Sequence, residues 1–242
     1  MTAPAALLEY RNVVKAYQSG SSEIRALNDV SLSIAPGELV AVMGPSGCGK
    51  STLLHLAGGL EPVTAGDVQF AGRSVTGMGV AELAELRRRE IGYVFQQLNL
   101  IPSLTALENV ALPLELNGAP ARAAREAART RLAAVGLDHS LDRYPDDFSG
   151  GQQQRIAIAR ATVGERRLVL ADEPTGALDT GTADQVIDLL AGFARAGTAV
   201  VLVTHEPRFA AWADRVIFLR DGQVVDESAP FAAASGATGV TR

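Results

Sequence analysis

Gly44-Pro45-Ser46-Gly47-Cys48-Gly49-Lys50-Ser51, followed by Thr52, constrains the fold of this 242-residue chain more than any other stretch. It satisfies the spacing G-x-x-x-x-G-K-[ST]. In that pattern small residues let successive backbone N–H groups curl round phosphate oxygens, Lys50 reaches the terminal phosphates, and the Ser51 hydroxyl takes Mg2+. Such a loop works between a buried strand and a helix, and both flanks are present. Leu39 to Met43 is an unbroken apolar run, and Ser51 to Ala57 opens an amphipathic helix. Phosphates would therefore lie at a helix N-terminus, where unpaired N–H groups and the helix dipole attract anions.

Composition narrows the classes that remain. Hydrophobic residues at 47% supply ample core and charged residues at 20% argue against bulk disorder. A net charge of −5 offers no basic field for wrapping nucleic acid, so no nucleic-acid partner is expected. The single cysteine, Cys48, excludes an intrachain disulfide and a multi-cysteine metal site, which fits a reducing compartment. Two readings of Cys48 stand: a small residue that fits the loop, or a thiol acidified by the helix terminus. No apolar stretch reaches the length of a membrane span, and Met1-Thr2-Ala3-Pro4 lacks the basic start of a signal peptide. The chain is expected to be soluble by itself.

Residues 7 to 35 alternate loosely in hydropathy and predict an antiparallel, half-exposed sheet, turned at Pro36-Gly37 into the strand before the phosphate loop. Gly66 to Gly72 reads as a short strand, 80 to 89 as a helix, and Arg87-Arg88-Arg89 as a solvated helix face. Ile91 to Phe95 is a further strand, ending at Gln96. From Leu98 to about Gly164 strands vanish, and Ala121 to Val135 is helical, which predicts an inserted helical subdomain. Strands return at 168 to 171 and 198 to 203 around a helix at 181 to 195, the alternation of a parallel sheet covered by helices. Asp221-Gly222 predicts a hairpin, and the Ala/Gly/Ser/Thr-rich residues 229 to 242 predict a mobile tail.

Arg167 to Glu173 is an apolar strand ending in two acids. Ligands bind at the carboxyl ends of strands in a doubly wound sheet, so Asp172 can hold Mg2+ through water and Glu173 can polarise an attacking water. Taken alone, two acids in a strand-to-loop turn remain the alternative.

Phe148-Ser149-Gly150-Gly151-Gln152 decides between these readings. Here the chain resembles the ATP-binding cassette (ABC) family, whose signature is close to L-S-G-G-Q ahead of a helix; Phe148 stands for the commoner Leu. The resemblance runs from about Leu7 to Glu227 and implies an α/β fold: a P-loop NTPase, RecA-like parallel core, an N-terminal antiparallel β subdomain, and an α-helical subdomain over about 97 to 164. It implies that the cassette spans about 7 to 228 and pairs as a homodimer sandwiching two ATP. Ser149, Gly150, Gly151 and Gln152 of one subunit would then close over the ATP of the other. By the same resemblance Tyr17 stacks on adenine, Gln96 touches Mg2+ and water, and Asp179 of Ala177-Leu178-Asp179 speaks across the dimer. His205 contacts the γ-phosphate and Glu173 is the base, while Ser51, Gln96 and Asp172 attend Mg2+. His55 and His139 match nothing in the family.

The run from Gly77 through Gln96 to Val110, with Thr175 to Asp179, is similar to the lipoprotein-release, macrolide-exporter and cell-division branch of ABC ATPases. That resemblance implies FtsX/MacB-like integral membrane permeases as partners and a place on the cytoplasmic face of the membrane. An importer ATPase, or a soluble ABC ATPase acting on DNA or ribosomes, is the alternative. Leu98, Leu100, Ile101, Leu104 and Leu107 suit either a groove for a permease helix or the helical subdomain's own core.

Overall fold

The computed structural model describes residues 5–20 and 22–228; the segments read above as the start of the chain and its tail lie outside them. Two sheets organise these residues. Strands β1 (Leu8–Ser19), β2 (Ser22–Ile34), β4 (Ala65–Phe70) and β5 (Arg73–Ser74) form an antiparallel sheet in the order β2-β1-β4-β5. The long β1–β2 ribbon is interrupted by register shifts, and one face of it alternates buried Leu27, Val30, Leu32 and Ile34 with exposed neighbours. That alternation is what the hydropathy of residues 7 to 35 predicts.

The second sheet has the order β10-β9-β3-β8-β7-β6 and contains β3 (Leu39–Met43), β6 (Ile91–Val94), β7 (Leu168–Asp172), β8 (Ala199–Val203), β9 (Arg215–Arg220) and β10 (Gln223–Ser228). Strands β9, β3, β8, β7 and β6 run parallel, and only the β9–β10 hairpin is antiparallel. Every residue of β3, β7 and β8 is buried, as continuous apolar runs between covering helices require. The hairpin turn places Asp221 and Gly222 at φ of 49° and 76°, the two positive values a type I′ turn needs.

Helix α1 (Lys50–Ala57) packs on one face of the parallel sheet, with Leu53, Leu54 and Leu56 in a core shared with the antiparallel sheet. Helix α6 (Thr180–Arg195) packs on the other face through Val186, Ile187 and Leu190, close to Phe209 of the short α7 (Pro207–Ala210). Helix α2 (Val80–Arg89) precedes β6. The remaining helices, α3 (Ala106–Leu116), α4 (Ala121–Ala134) and α5 (Gly150–Thr162), bury Val110, Ala124, Ala128, Leu132 and Ile156 in a third core.

Helix α5 ties that third core to the parallel sheet at one tight point. A Cβ on Gly92 of β6 would lie 1.8 Å from the carbonyl oxygen of Ala161 in α5, so strand and helix backbones are in contact and no larger residue fits. Arg160, one residue earlier, donates to the carbonyls of Leu98 and Asn99 at 2.7 and 2.6 Å and so anchors the segment after Gln96.

Two sequence expectations are revised. Arg87 and Arg88 are half-buried rather than solvated: Arg87 donates to Gly59 O at 2.8 Å, and only Arg89 is exposed. Long side chains can cover apolar surface while their charged ends find carbonyls, which a run of three arginines does not announce. Of the five apolar residues weighed as groove or core, Leu107 is buried in the third core and Leu100 packs against it. A cleft of about 480 Å³ between the subdomains is lined instead by Tyr93, Phe95, Leu112, Pro113 and Leu116, with Arg88, Arg160 and Arg166 among its polar groups.

Candidate nucleotide site

The phosphate loop leaves β3 and enters α1 with its backbone pressed against neighbouring strands. A Cβ on Gly44 (φ 151°) would come within 2.0 Å of Leu219 O, and one on Gly49 (φ 105°) within 2.2 Å of Ala26 O. Both positions therefore require glycine on conformational and steric grounds. Between them Pro45, Ser46 and Gly47 are at or near the surface, whereas Cys48 is buried, its Sγ 4.0 Å from Lys50 Nζ. Lys50 is buried and donates to the carbonyls of Gly44 and Pro45, each at 2.9 Å, which holds its ammonium inside the curl of the loop. Ser51 and Thr52 follow in the first turn of α1.

Asp172 ends β7 beside this loop. Burial raises its carboxyl above the ordinary range, partly countered by the neighbouring Ser51 hydroxyl, and its Oδ1 is buried without a hydrogen-bond partner among the described residues. A buried acceptor left open next to a serine hydroxyl and a helix N-terminus has the donor chemistry of a Mg2+–phosphate site. Among the described residues no three His, Cys, Asp or Glu side chains cluster as a cage. A cation here would therefore take phosphate oxygens and water in addition to Ser51 and Asp172.

Glu173 gathers the other candidates. Its backbone adopts φ 45°, a conformation that costs a non-glycine residue energy and is held by its N–H bond to Val203 O at 3.1 Å. In that pose Glu173 Oε2 accepts from Gln96 Nε2 at 3.2 Å, and Oε1 lies 3.6 Å from His205 Nδ1. Residues 96, 173 and 205, from the ends of three parallel strands, thus converge on one carboxylate at the end of the sheet where the phosphate loop also lies.

The signature residues lie elsewhere in the chain. Ser149 is the N-cap of α5: its Oγ accepts from Gln152 N at 3.4 Å while Gln152 Oε1 accepts from Ser149 N at 3.0 Å, a reciprocal capping box. Gly150 opens the helix, and a Cβ on Gly151 would meet Thr182 Cγ2 at 2.2 Å. Asp179 caps α6 by accepting from Thr182 N and Oγ1 at 3.1 and 2.6 Å. Signature and Asp179 loops therefore share Thr182, and the hydrogen bonds of Ser149 and Gln152 among the described residues stay within their own helix terminus.

Tyr17 stands near the end of β1, 37% exposed, and its hydroxyl donates to Glu61 Oε2 at 2.6 Å. Glu61 also meets Lys15 and His55, and none of these three was singled out from the sequence as a site residue. Tyr17 and Glu61 are separated by 44 positions, so no local pattern links them.

The protein-family model described as "ABC transporter" matches residues 27–176, which span the phosphate loop, the signature and Glu173. The chain belongs to the ABC transporter family. An ABC transporter ATP-binding protein of Bacillus subtilis, YknY, is 44% identical over 92% of this chain and 96% of its own. The macrolide export ATP-binding/permease protein MacB 1/2 of Paracoccus denitrificans is 46% identical over 91% of this chain, and MacB of Hyphomonas neptunium is 44% identical over 94%. This chain spans about a third of the length of those two, 33% and 35%. The ATP-binding cassette MJ0796, solved as a post-hydrolysis dimer bound to ADP and Pi, superimposes with a TM-score of 0.86 at 42% identity, covering 92% of this chain and 98% of that one. The chain is thus an ABC ATPase, with the P-loop parallel core, antiparallel sheet and helical insertion of such cassettes.

Proposed function

We propose that this ABC ATPase works as a homodimer on the cytoplasmic face of a membrane, hydrolysing two sandwiched ATP to drive an FtsX/MacB-like permease. The observation that carries the chemistry is the convergence of Gln96 and His205 on Glu173 at the strand ends beside Lys50, Ser51 and Asp172. In this reading the phosphate-loop N–H groups and Lys50 hold the β- and γ-phosphates, and Lys50 exchanges its two carbonyl partners for phosphate oxygens. Ser51, Asp172 and Gln96 would hold Mg2+, which supplies charge neutralisation when bound. Glu173 orients the attacking water and takes its proton, and His205 faces the γ-phosphate. Tyr17 stacks on the adenine. Ser149, Gly150, Gly151 and Gln152, carried on the N-terminus of α5, complete the partner's site, with Asp179 beside them at the dimer seam.

The permease reading is supported by the cleft between the subdomains. Its apolar wall, ending in Leu116 at 64% exposure, and its arginines suit an amphipathic helix bearing an acidic residue. The names of the two MacB relatives, which join ATP-binding and permease parts, point the same way.

The test is affinity purification of tagged Glu173→Gln protein from its own membranes with ATP and Mg2+, alongside the same protein carrying Leu116→Glu. The expected result is an integral membrane permease with the first and its loss with the second, while nucleotide binding by the isolated proteins stays equal. Recovery with a permease and a solute-binding protein would move the reading to uptake. Recovery from the soluble fraction with ribosomes or DNA-repair proteins would overturn it.

A further inference from the structure

Three side chains outside the phosphate chemistry, Glu61, Lys15 and His55, form one connected cluster behind Tyr17. Glu61, in the loop that follows α1, accepts from the Tyr17 hydroxyl at 2.6 Å and lies 3.2 Å from Lys15 Nζ through the same oxygen. Its other oxygen faces His55 Nδ1 of α1 at 3.0 Å. Lys15, itself buried, donates to Pro62 O at 2.9 Å, and its ammonium lies 4.8 Å from the Tyr17 ring centroid.

These contacts add a polar tie between β1 and α1, which already share a core and the bond from the Tyr10 hydroxyl to Leu53 O at 2.8 Å. β1 belongs to the antiparallel sheet, whereas α1 and the Glu61 loop continue from the phosphate loop. An exposed tyrosine near the end of a strand ordinarily turns about its side-chain torsions. Here the hydroxyl is fixed at one end, and Lys15 covers one face of the ring, which leaves the opposite face for a planar ligand. Burial pushes the Glu61 carboxyl up, but the hydrogen bonds from Tyr17, His55 and Lys15 outweigh it and hold the group below the usual glutamate range. Glu61 is therefore an anion at neutral pH and a strong acceptor.

We infer that Glu61 is a positioning residue for nucleotide recognition: by tying the Tyr17 hydroxyl to α1 it fixes the ring's pitch relative to the phosphate loop and so sets the affinity for the base. The inference rests on the proposed stacking of Tyr17 on adenine. A ring held at a set distance from the loop meets base and phosphates of one ligand at once, and the benefit is the ordering cost not incurred on binding. A ligand without the base gains nothing from it.

Binding of ADP and of inorganic pyrophosphate by calorimetry separates the possibilities. Tyr17→Ala removes the ring, Tyr17→Phe keeps it and deletes the hydroxyl, and Glu61→Leu deletes the acceptor. Tyr17→Phe and Glu61→Leu are each expected to weaken ADP binding about 3- to 10-fold, the range of one hydrogen bond, with pyrophosphate unchanged. The double variant should be no weaker than Glu61→Leu alone, because the bond that Tyr17→Phe deletes is already lost there. If Tyr17→Ala weakens ADP while Tyr17→Phe and Glu61→Leu bind as the wild type, stacking stands and the role of Glu61 is overturned. If Tyr17→Ala also binds as the wild type, the stacking itself fails. Should Glu61→Leu lose pyrophosphate together with ADP, Glu61 merely supports the fold, and Tyr17→Phe, which leaves Glu61 in place, still reports on the bond.

Discussion

At the scale of single residues, Glu173 combines a strained backbone with two partners that meet on its carboxylate. A glutamate at φ 45° has been placed against its own preference, and the bond from its N–H to β8 holds it there. The consequence is a carboxylate presented beyond the strand ends between Gln96 and His205, rather than one folded back on its own turn. Glu173→Gln keeps the size and can still pair with Gln96, but it cannot take a proton. Turnover measured by phosphate release is expected to fall at least about 10²-fold, with ATP binding retained and an ATP-dependent dimer persisting in size-exclusion chromatography. Hydrolysis at the wild-type rate would remove Glu173 as the base. The neighbouring Asp172 differs for a physical reason: it is buried and its Oδ1 is unpartnered, which suits holding a cation better than moving a proton.

At the scale of elements, helix termini are set by chemistry that is contiguous in the sequence. Thr105 and Glu108 show this at the start of α3. Glu108 Oε2 accepts from Thr105 N and Oγ1, both at 3.0 Å, and Thr105 Oγ1 accepts from Glu108 N at 3.3 Å. The bond from the Thr105 backbone, then that from its hydroxyl, hold the Glu108 carboxyl below the usual glutamate range. A lowered folded pKa means that the carboxylate's contribution is present above the unfolded value of 4.5 and is lost as pH falls through the lowered one. Glu108→Gln should therefore lower the urea midpoint at pH 7 by the equivalent of about 0.5 kcal/mol, a value discounted because the group is partly exposed. That difference should shrink as pH drops from about 5 toward 3, and an equal deficit at every pH would assign it to packing instead. Strand, phosphate loop and signature were readable for the same reason: each is a short run whose residue types and spacing carry the function. The half-burial of Arg87, the lining of the cleft by Leu112, Pro113 and Leu116, and the pairing of Tyr17 with Glu61 were not. Each depends on which surfaces the fold brings together, and the partners are separated by dozens of residues.

At the scale of the whole molecule, the placement of the signature is the feature that a single chain leaves incomplete. Gly151 in the first turn of α5 lies against Thr182, and the same threonine donates to the capping carboxylate of Asp179, so both loops are presented along one edge. If that edge completes the site of a second copy, each site takes its phosphate loop from one subunit and its signature from the other. A mixed dimer of Lys50→Ala and Ser149→Arg subunits then pairs both defects in one site and leaves the other site wholly intact. If each chain instead used its own signature, every site in the mixture would carry a defect. In a Glu173→Gln background, two different tags on the two variants should be captured together in an ATP-dependent manner, with about one ATP retained per mixed pair. Neither variant alone should form such a complex. Absence of ATP-dependent capture in the mixture, or two retained ATP per pair, would overturn the composite site; capture at one ATP ties the loop, the signature and the Asp179 edge into a single machine of two chains.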